Sequence, residues 1–355
     1  MCDWMQRTNT NSIIYLFNSA YRGTYSDSLF KIMASQNGLR TVMRYALDKN
    51  VPKELQDQIT YRKLINLPCM ILFINRYNTR SYEFIPLRKG IIRWINRESG
   101  YLFVTVELMD FVSIKNVDVN GFTNQFIEKL NGKNIPQLQD NDPKNTNDGY
   151  YVVESDVNIE ENIISDSDSW VKAAEYMSKT KALDEKFAFV KIGILKANEN
   201  RILMPDKDGA ISISPNCKYI LEATYYDPTL GEGKFSFNLG FQSPLDGMQT
   251  KIYCTSKVNN VRIPISSGKN ISLSHKSSSI EISQVENNVG RNVLIIPCKI
   301  EPISKDLYAI AIIMIIFSLS IATEYEYSNI LFSIMLALKW LVSLIFIAYA
   351  GMKLL

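Results

Sequence analysis

Residues 234–241 read KFSFNLGF. Phe235, Phe237 and Leu239 alternate with Ser236 and Asn238. A period of two puts the apolar side chains on one face, as in a half-buried strand. Runs of similar character occur on both sides: 187–195, 218–226, 251–256, 261–265, 271–274, 279–283 and 292–298. They recur roughly every 10 residues and are separated by turn residues such as Asp227-Pro228 and Gly231-Glu232-Gly233. This spacing predicts an all-β domain over residues 187–303, an immunoglobulin-like sandwich or a small barrel. No Trp lies in this region, so the Cys…Trp…Cys core pattern is missing. Cys254 and Cys298 are expected as buried thiols.

Beyond this domain the text turns apolar. Residues 307–323 carry no charge, and residues 330–352 carry one, Lys339. A bilayer core of about 30 Å needs roughly 20 apolar residues of helix. The expectation is a C-terminal two-helix transmembrane hairpin around the turn Glu324-Tyr325-Glu326-Tyr327-Ser328-Asn329. Lys305 and Lys353 flank the spans and the turn is acidic, which places both ends in the cytoplasm. No basic start followed by an apolar run opens the chain. The expected location is therefore an inner or plasma membrane, with the N-terminal region cytoplasmic. Lys339 at mid-span needs a partner or water. With Ser343 one turn away and Ser333 and Ala337 as a small-xxx-small pair, it is the candidate lining of a wet centre in a homo-oligomer.

Before the β domain the charge changes sign twice. Residues 1–110 carry a net +6, residues 111–186 a net −6 and residues 187–304 a net +3, within a chain of net +3. This divides the soluble part into a basic α+β domain (1–115), an acidic connecting region (116–186) and the β domain. Val51-Pro52-Lys53-Glu54 starts a helix running to about Leu64. Residues 68–75, 82–95 and 101–112 read as strands, with a turn at Asn96-Arg97-Glu98-Ser99-Gly100. In the acidic region Trp170, Ala173, Ala174 and Met177 share one helical face, so a helix is expected near 169–183.

The residues that carry familiar catalysis are scarce. The chain has one histidine, His275, in a polar run that reads as an exposed turn. There is no GxxxxGK[ST], GxGxxG or GxSxG and no zinc-ligand spacing, and the five cysteines form no CxxC. No cofactor or metal is implied, and the chain does not read as an enzyme. One soluble feature points to a ligand. Arg76, Arg80, Arg88, Lys89, Arg93, Trp94 and Arg97 interleave basic and aromatic residues. Guanidinium groups fork onto phosphates and aromatic faces stack bases. A phosphorylated or nucleotide-like ligand or a nucleic acid suits such a surface; so does a lipid head group.

At the level of architecture alone, a cytosolic module joined to two spans is similar to bacterial antiviral effectors that disrupt the membrane after sensing a signal. The resemblance implies a non-enzymatic membrane-anchored effector whose cytosolic domains sense a ligand or partner protein and whose hairpin oligomerises and perturbs the bilayer. The alternatives are a membrane-anchored adaptor that permeabilises nothing and an enzyme with an unfamiliar site.

Overall fold

The computed structural model describes residues 13–18, 23–51, 56, 62–76, 82–130, 152–155, 162–180, 188–199, 201–230, 232, 234–270, 274–286 and 289–302. Its first half is built on β1 (Ile13–Asn18), α1 (Gly23–Ala34), β2 (Arg40–Ala46), α2 (Leu47–Asn50), β3 (Pro68–Arg76), β4 (Tyr82–Glu98) and β5 (Tyr101–Phe111). The short β6 (Ser113–Ile114), α3 (Val119–Leu130), β7 (Val152–Ser155), β8 (Ile163–Ile164) and α4 (Ser169–Ser178) follow. Six strands form one sheet in the order β2-β5-β4-β3-β1-β7. Only β1 and β3 run parallel within it.

The β4–β5 hairpin is the organising unit of this sheet. Glu98 pairs with Tyr101, and the two residues between them have positive φ, Ser99 at 51° and Gly100 at 79°. That is the type I′ geometry whose twist matches paired strands. On one face Leu102, Val104, Val106 and Leu108 of β5 bury against Ile14, Leu16, Met43, Ile71 and Ile92. On the other, α3 covers β1 and the start of β4, where Tyr15, Phe17 and Phe84 surround Phe126 at ring distances of 5.0–6.0 Å. The second half of β4, with β5 and β2, has no helix on that face among the described residues.

The second half comprises β9 (Phe189–Lys196), β10 (Ile211–Ile213), β11 (Lys218–Tyr226), β12 (Phe235–Phe241), β13 (Leu245–Gly247), β14 (Lys251–Tyr253), β15 (Val258–Ser267), β16 (Lys276–Glu286) and β17 (Val289–Ile300). They form a five-stranded sheet, β10-β17-β16-β12-β14, and a four-stranded sheet, β13-β15-β11-β9. Phe237, Ile282 and Ile296 of the first and Ile194, Leu221 and Ile263 of the second are buried in one core. This is a β-sandwich, with period-2 alternation along β11 and β15. Strands β10 and β13 have three residues each, too few to show a period, and were not expected. The expected strand at 271–274 falls largely outside the described residues, as does most of the helix expected at 51–64.

The two halves share a core. Phe30 of α1 stacks on Phe237 of β12 with ring centroids 6.3 Å apart. Trp170 of α4 donates its indole N–H to Met33 O at 3.0 Å. The buried Gln36 carboxamide accepts from Ile194 N at 3.0 Å and donates to Leu203 O.

The expected fold class requires correction. Among the described residues no helix is long and apolar enough to cross a membrane. The longest have 12 residues, about 18 Å of helix against a hydrocarbon core of about 30 Å. Among the described residues the fold is mostly β with four short helices, and neither a transmembrane hairpin nor a lipid bilayer as partner has support in them. An apolar run in sequence measures hydropathy and not the length of a helix. Residues 307–323 and 330–352, with Lys339, Ser343, Ser333 and Ala337, lie outside the described residues.

Candidate ligand-binding face

The open part of the six-stranded sheet is laid out by register. Residues opposite one another across antiparallel strands share a face. Trp94 lies opposite Thr105, and Thr105 opposite Val42. The next row is Asn96, Phe103 and Arg44; the row beyond holds Glu98 and Tyr101. Successive rows on one face are about 6.8 Å apart along a strand. Three aromatic side chains therefore stand on a stepped platform. Trp94 is 53% exposed, Val42 54% and Tyr101 37%, and together they form an apolar patch on one face of the sheet. Tyr101 and Phe103 lie 6.5 Å apart, and the Arg44 guanidinium covers the Tyr101 ring at 4.8 Å.

A bulge in β4 makes Trp94 available. The pairing with β5 slips between Ile92 and Trp94, so Ile92 faces Val106 in the core while Trp94 faces Thr105 outside. Arg93 is the extra residue. It points to the same open side, where its Nε donates to Glu107 at 2.7 Å and its Nη1 to Asn66 Oδ1 at 2.9 Å.

Of the basic residues expected to form this surface, the structure gathers fewer than the sequence offered. Arg88 belongs to the interior. It is fully buried, its Nε donates to Met109 O at 2.7 Å, its Nη1 to Ile32 O at 2.6 Å and Ser35 O at 2.8 Å, and its Nη2 to Asn37 Oδ1 at 2.9 Å. Phe111 lies under its plane at 4.1 Å. Burial pulls this guanidinium down to about 9, against the raising effect of Asp110, so it stays cationic at neutral pH. It clamps the C-terminus of α1 to β5 and offers no donor to a ligand. Lys89 is half-buried beside it. Arg97 is exposed but stands opposite Leu102, on the other face from Trp94. The side chain of Arg76 and all of Arg80 lie outside the described residues. Sequence reasoning missed Arg44, Tyr101, Phe103 and Val42. The alternation of β2 (exposed Arg40, Val42 and Arg44 against buried Thr41, Met43 and Tyr45) was the available signal.

Other chemistry is sparse among the described residues. No group of three His, Cys, Asp or Glu side chains is placed to hold a metal. His275 is exposed. Cys69, Cys217, Cys254 and Cys298 are free thiols. Burial pushes Cys298 up to about 12, and burial with Asp227 does the same for Cys254, so neither is a nucleophile at neutral pH. A pocket of about 100 Å³ between Pro86 and α4 is lined by Lys172 and Lys179. These lysines pair with Asp166 at 2.8 Å and Glu175 at 3.2 Å.

No family model matches this chain. No curated protein matches it either. Among solved structures it is similar to a FixG-related protein from Vibrio parahaemolyticus, at 8% identity and a TM-score of 0.20, over 32% of this chain and 95% of that one.

Proposed function

We propose that this protein is a non-enzymatic recognition module that takes a short single-stranded, nucleotide-based ligand on the open face of its six-stranded sheet. The observation that carries this reading is Trp94, half exposed in mid-strand, in a row next to the Arg44–Tyr101–Phe103 cluster. Bases stack on exposed aromatic faces without needing a sequence-specific partner, and each stack contributes about 1–3 kcal/mol. Trp94 stands two rows, about 13.6 Å along the strands, from Tyr101, whose ring Arg44 already covers, so Trp94 is the aromatic face left for a base. Arg44 presents a planar, permanently charged group that suits a phosphate or a stacked base. Thr105 and Asn96 lie between the aromatic residues and supply hydrogen-bonding groups.

The reading covers recognition alone. The effector half of the sequence expectation, an oligomerising hairpin, plays no part in it. The test is fluorescence anisotropy of a labelled oligouridylate at two salt concentrations. Wild-type protein binds, and binding weakens with salt because phosphates release counterions. Trp94→Ala reduces affinity roughly fivefold to hundredfold, the equivalent of one lost stack. Equal affinity for wild type and Trp94→Ala refutes the platform. Binding of uridine monophosphate as tight as the oligomer refutes the strand-like ligand.

A further inference from the structure

A cleft of about 560 Å³ runs beside the platform, between the six-stranded sheet and the sandwich. Its walls are Arg40, Thr41 and Val42 of β2 and Val293, Leu294 and Ile295 of β17, with Ser28, Lys31 and Ser35 of α1 completing the lining. Successive side chains of a strand leave opposite faces. Three consecutive residues of one strand therefore line the same space only where that strand turns its edge towards it. Both β2 and β17 do so.

The main-chain groups on these edges can be assigned. In β2, Leu39 O accepts from Leu108 N and Leu47 N donates to Gly100 O. Odd-numbered residues thus bond inward to β5, and Arg40, Val42 and Arg44 aim their N–H and C=O outward. β2 is the end strand of its sheet. In β17, Glu301 N donates to Ile213 O on the side away from β16. Odd-numbered residues there face away from β16, and among the described residues β10 covers that side only at Cys298–Ile300. Pro297 fits this parity, because its missing N–H falls on the open side. Ile295 therefore also presents main-chain groups to the cleft.

Exposed edges are usually blunted by brevity, bulges or cover. β2 has seven residues, and its pairing with β5 shows no bulge. Val42 and Ile295 are 54% and 58% exposed. The nine lining residues include two cations, Lys31 and Arg40, and no acid. Arg44 continues the basic row along β2.

We propose that the cleft is a strand-addition site for an extended acidic peptide, which pairs with the edge of β2 that no described strand covers. Its main chain meets Arg40, Val42 and Arg44, its alternate apolar side chains lie over Val42 and Ile295, and its carboxylates face Arg40. This inference is independent of the reading of the platform, which concerns the sheet's face and not its edge.

The test uses the full chain and two labelled peptides, one alternating Glu and Val and one alternating Lys and Val, in anisotropy titrations. The acidic peptide binds and the basic one does not. Val42→Pro removes the outward N–H at the centre of the edge but no bond to β5, so the melting curve is retained while affinity falls by about tenfold or more. Arg40→Glu, at an exposed position, lowers affinity for the acidic peptide and admits the basic one. Amide exchange supplies a readout that does not depend on the proline: bound peptide slows the Val42 and Arg44 amides. Equal binding of both peptides, unchanged affinity in folded Val42→Pro or in Arg40→Glu, or unprotected Val42 and Arg44 amides in the complex each overturns the proposal.

Discussion

Replacing Arg88 with methionine tests how the first half of the molecule is held together. The side chain is fully buried and makes four hydrogen bonds, to Ile32 O, Ser35 O, Met109 O and Asn37 Oδ1, with its plane on Phe111. Methionine fills much of the volume and keeps the contact with the ring but leaves these acceptors without their donor. Each buried acceptor left unpaired costs about 1–3 kcal/mol. Removal of a buried cation's desolvation cost offsets part of this, as does relaxation of the two carbonyls at the end of α1. Breaking one side of a buried charged network costs about 3–5 kcal/mol in comparable cases. The expected loss is in that range, a large fraction of a stability of about 5–15 kcal/mol. Urea unfolding followed by far-UV circular dichroism measures it. Arg88→Lys should recover part of the loss, since a single ammonium cannot reach acceptors arranged around a fork. A loss under about 1 kcal/mol for Arg88→Met would refute the clamp and return Arg88 to the surface role its sequence context implied.

Two further predictions concern the core. Gly90→Ala places a Cβ 2.5 Å from Val106 Cγ1 and 3.0 Å from Cys69 Sγ, and should lower stability by about 1–3 kcal/mol in the same urea assay through overpacking between β3, β4 and β5. Cys254 and Cys298 keep their protons up to about 12 when folded, whereas the unfolded chain releases them near the ordinary thiol value of 9.0. Stability from these thiols is complete below pH 9.0 and is lost as pH rises towards 12, by about 1.4 kcal/mol per thiol and pH unit. A Cys254→Ala/Cys298→Ala double variant should lose that extra slope in urea midpoints measured across the interval.

The sandwich was the most legible part of the sequence. β11 occupies the expected residues 218–226, and β12, β16 and β17 lie over expected runs, because one buried face imposes a period of two. The hairpin β4–β5 was legible for a second reason: Ser99-Gly100 accepts the positive φ that a two-residue turn demands. The candidate face was only half legible. Arg88 and Trp94 lie six residues apart in one strand, and two bulges in its pairing with β5 decide which residues turn inward. No periodicity in the sequence marks a bulge, so Arg88 read as surface although it is buried. Arg44 reaches Tyr101 across register, between strands separated by more than fifty residues of chain. The C-terminal expectation failed to find support for a different reason, since uninterrupted hydropathy does not specify what the apolar run packs against.

Trp94 carries the proposed contact with the ligand, and one measurement addresses it directly. The chain has four tryptophans, hence four indole N–H signals in a proton–nitrogen correlation spectrum. Trp94→Phe assigns one of them. Trp170, buried with its N–H on Met33 O, is an internal control. On titration with oligouridylate the Trp94 signal should shift progressively and saturate while the Trp170 signal stays in place. A Trp94 signal that does not move at saturating oligonucleotide, or one that moves only together with Trp170, would contradict the account.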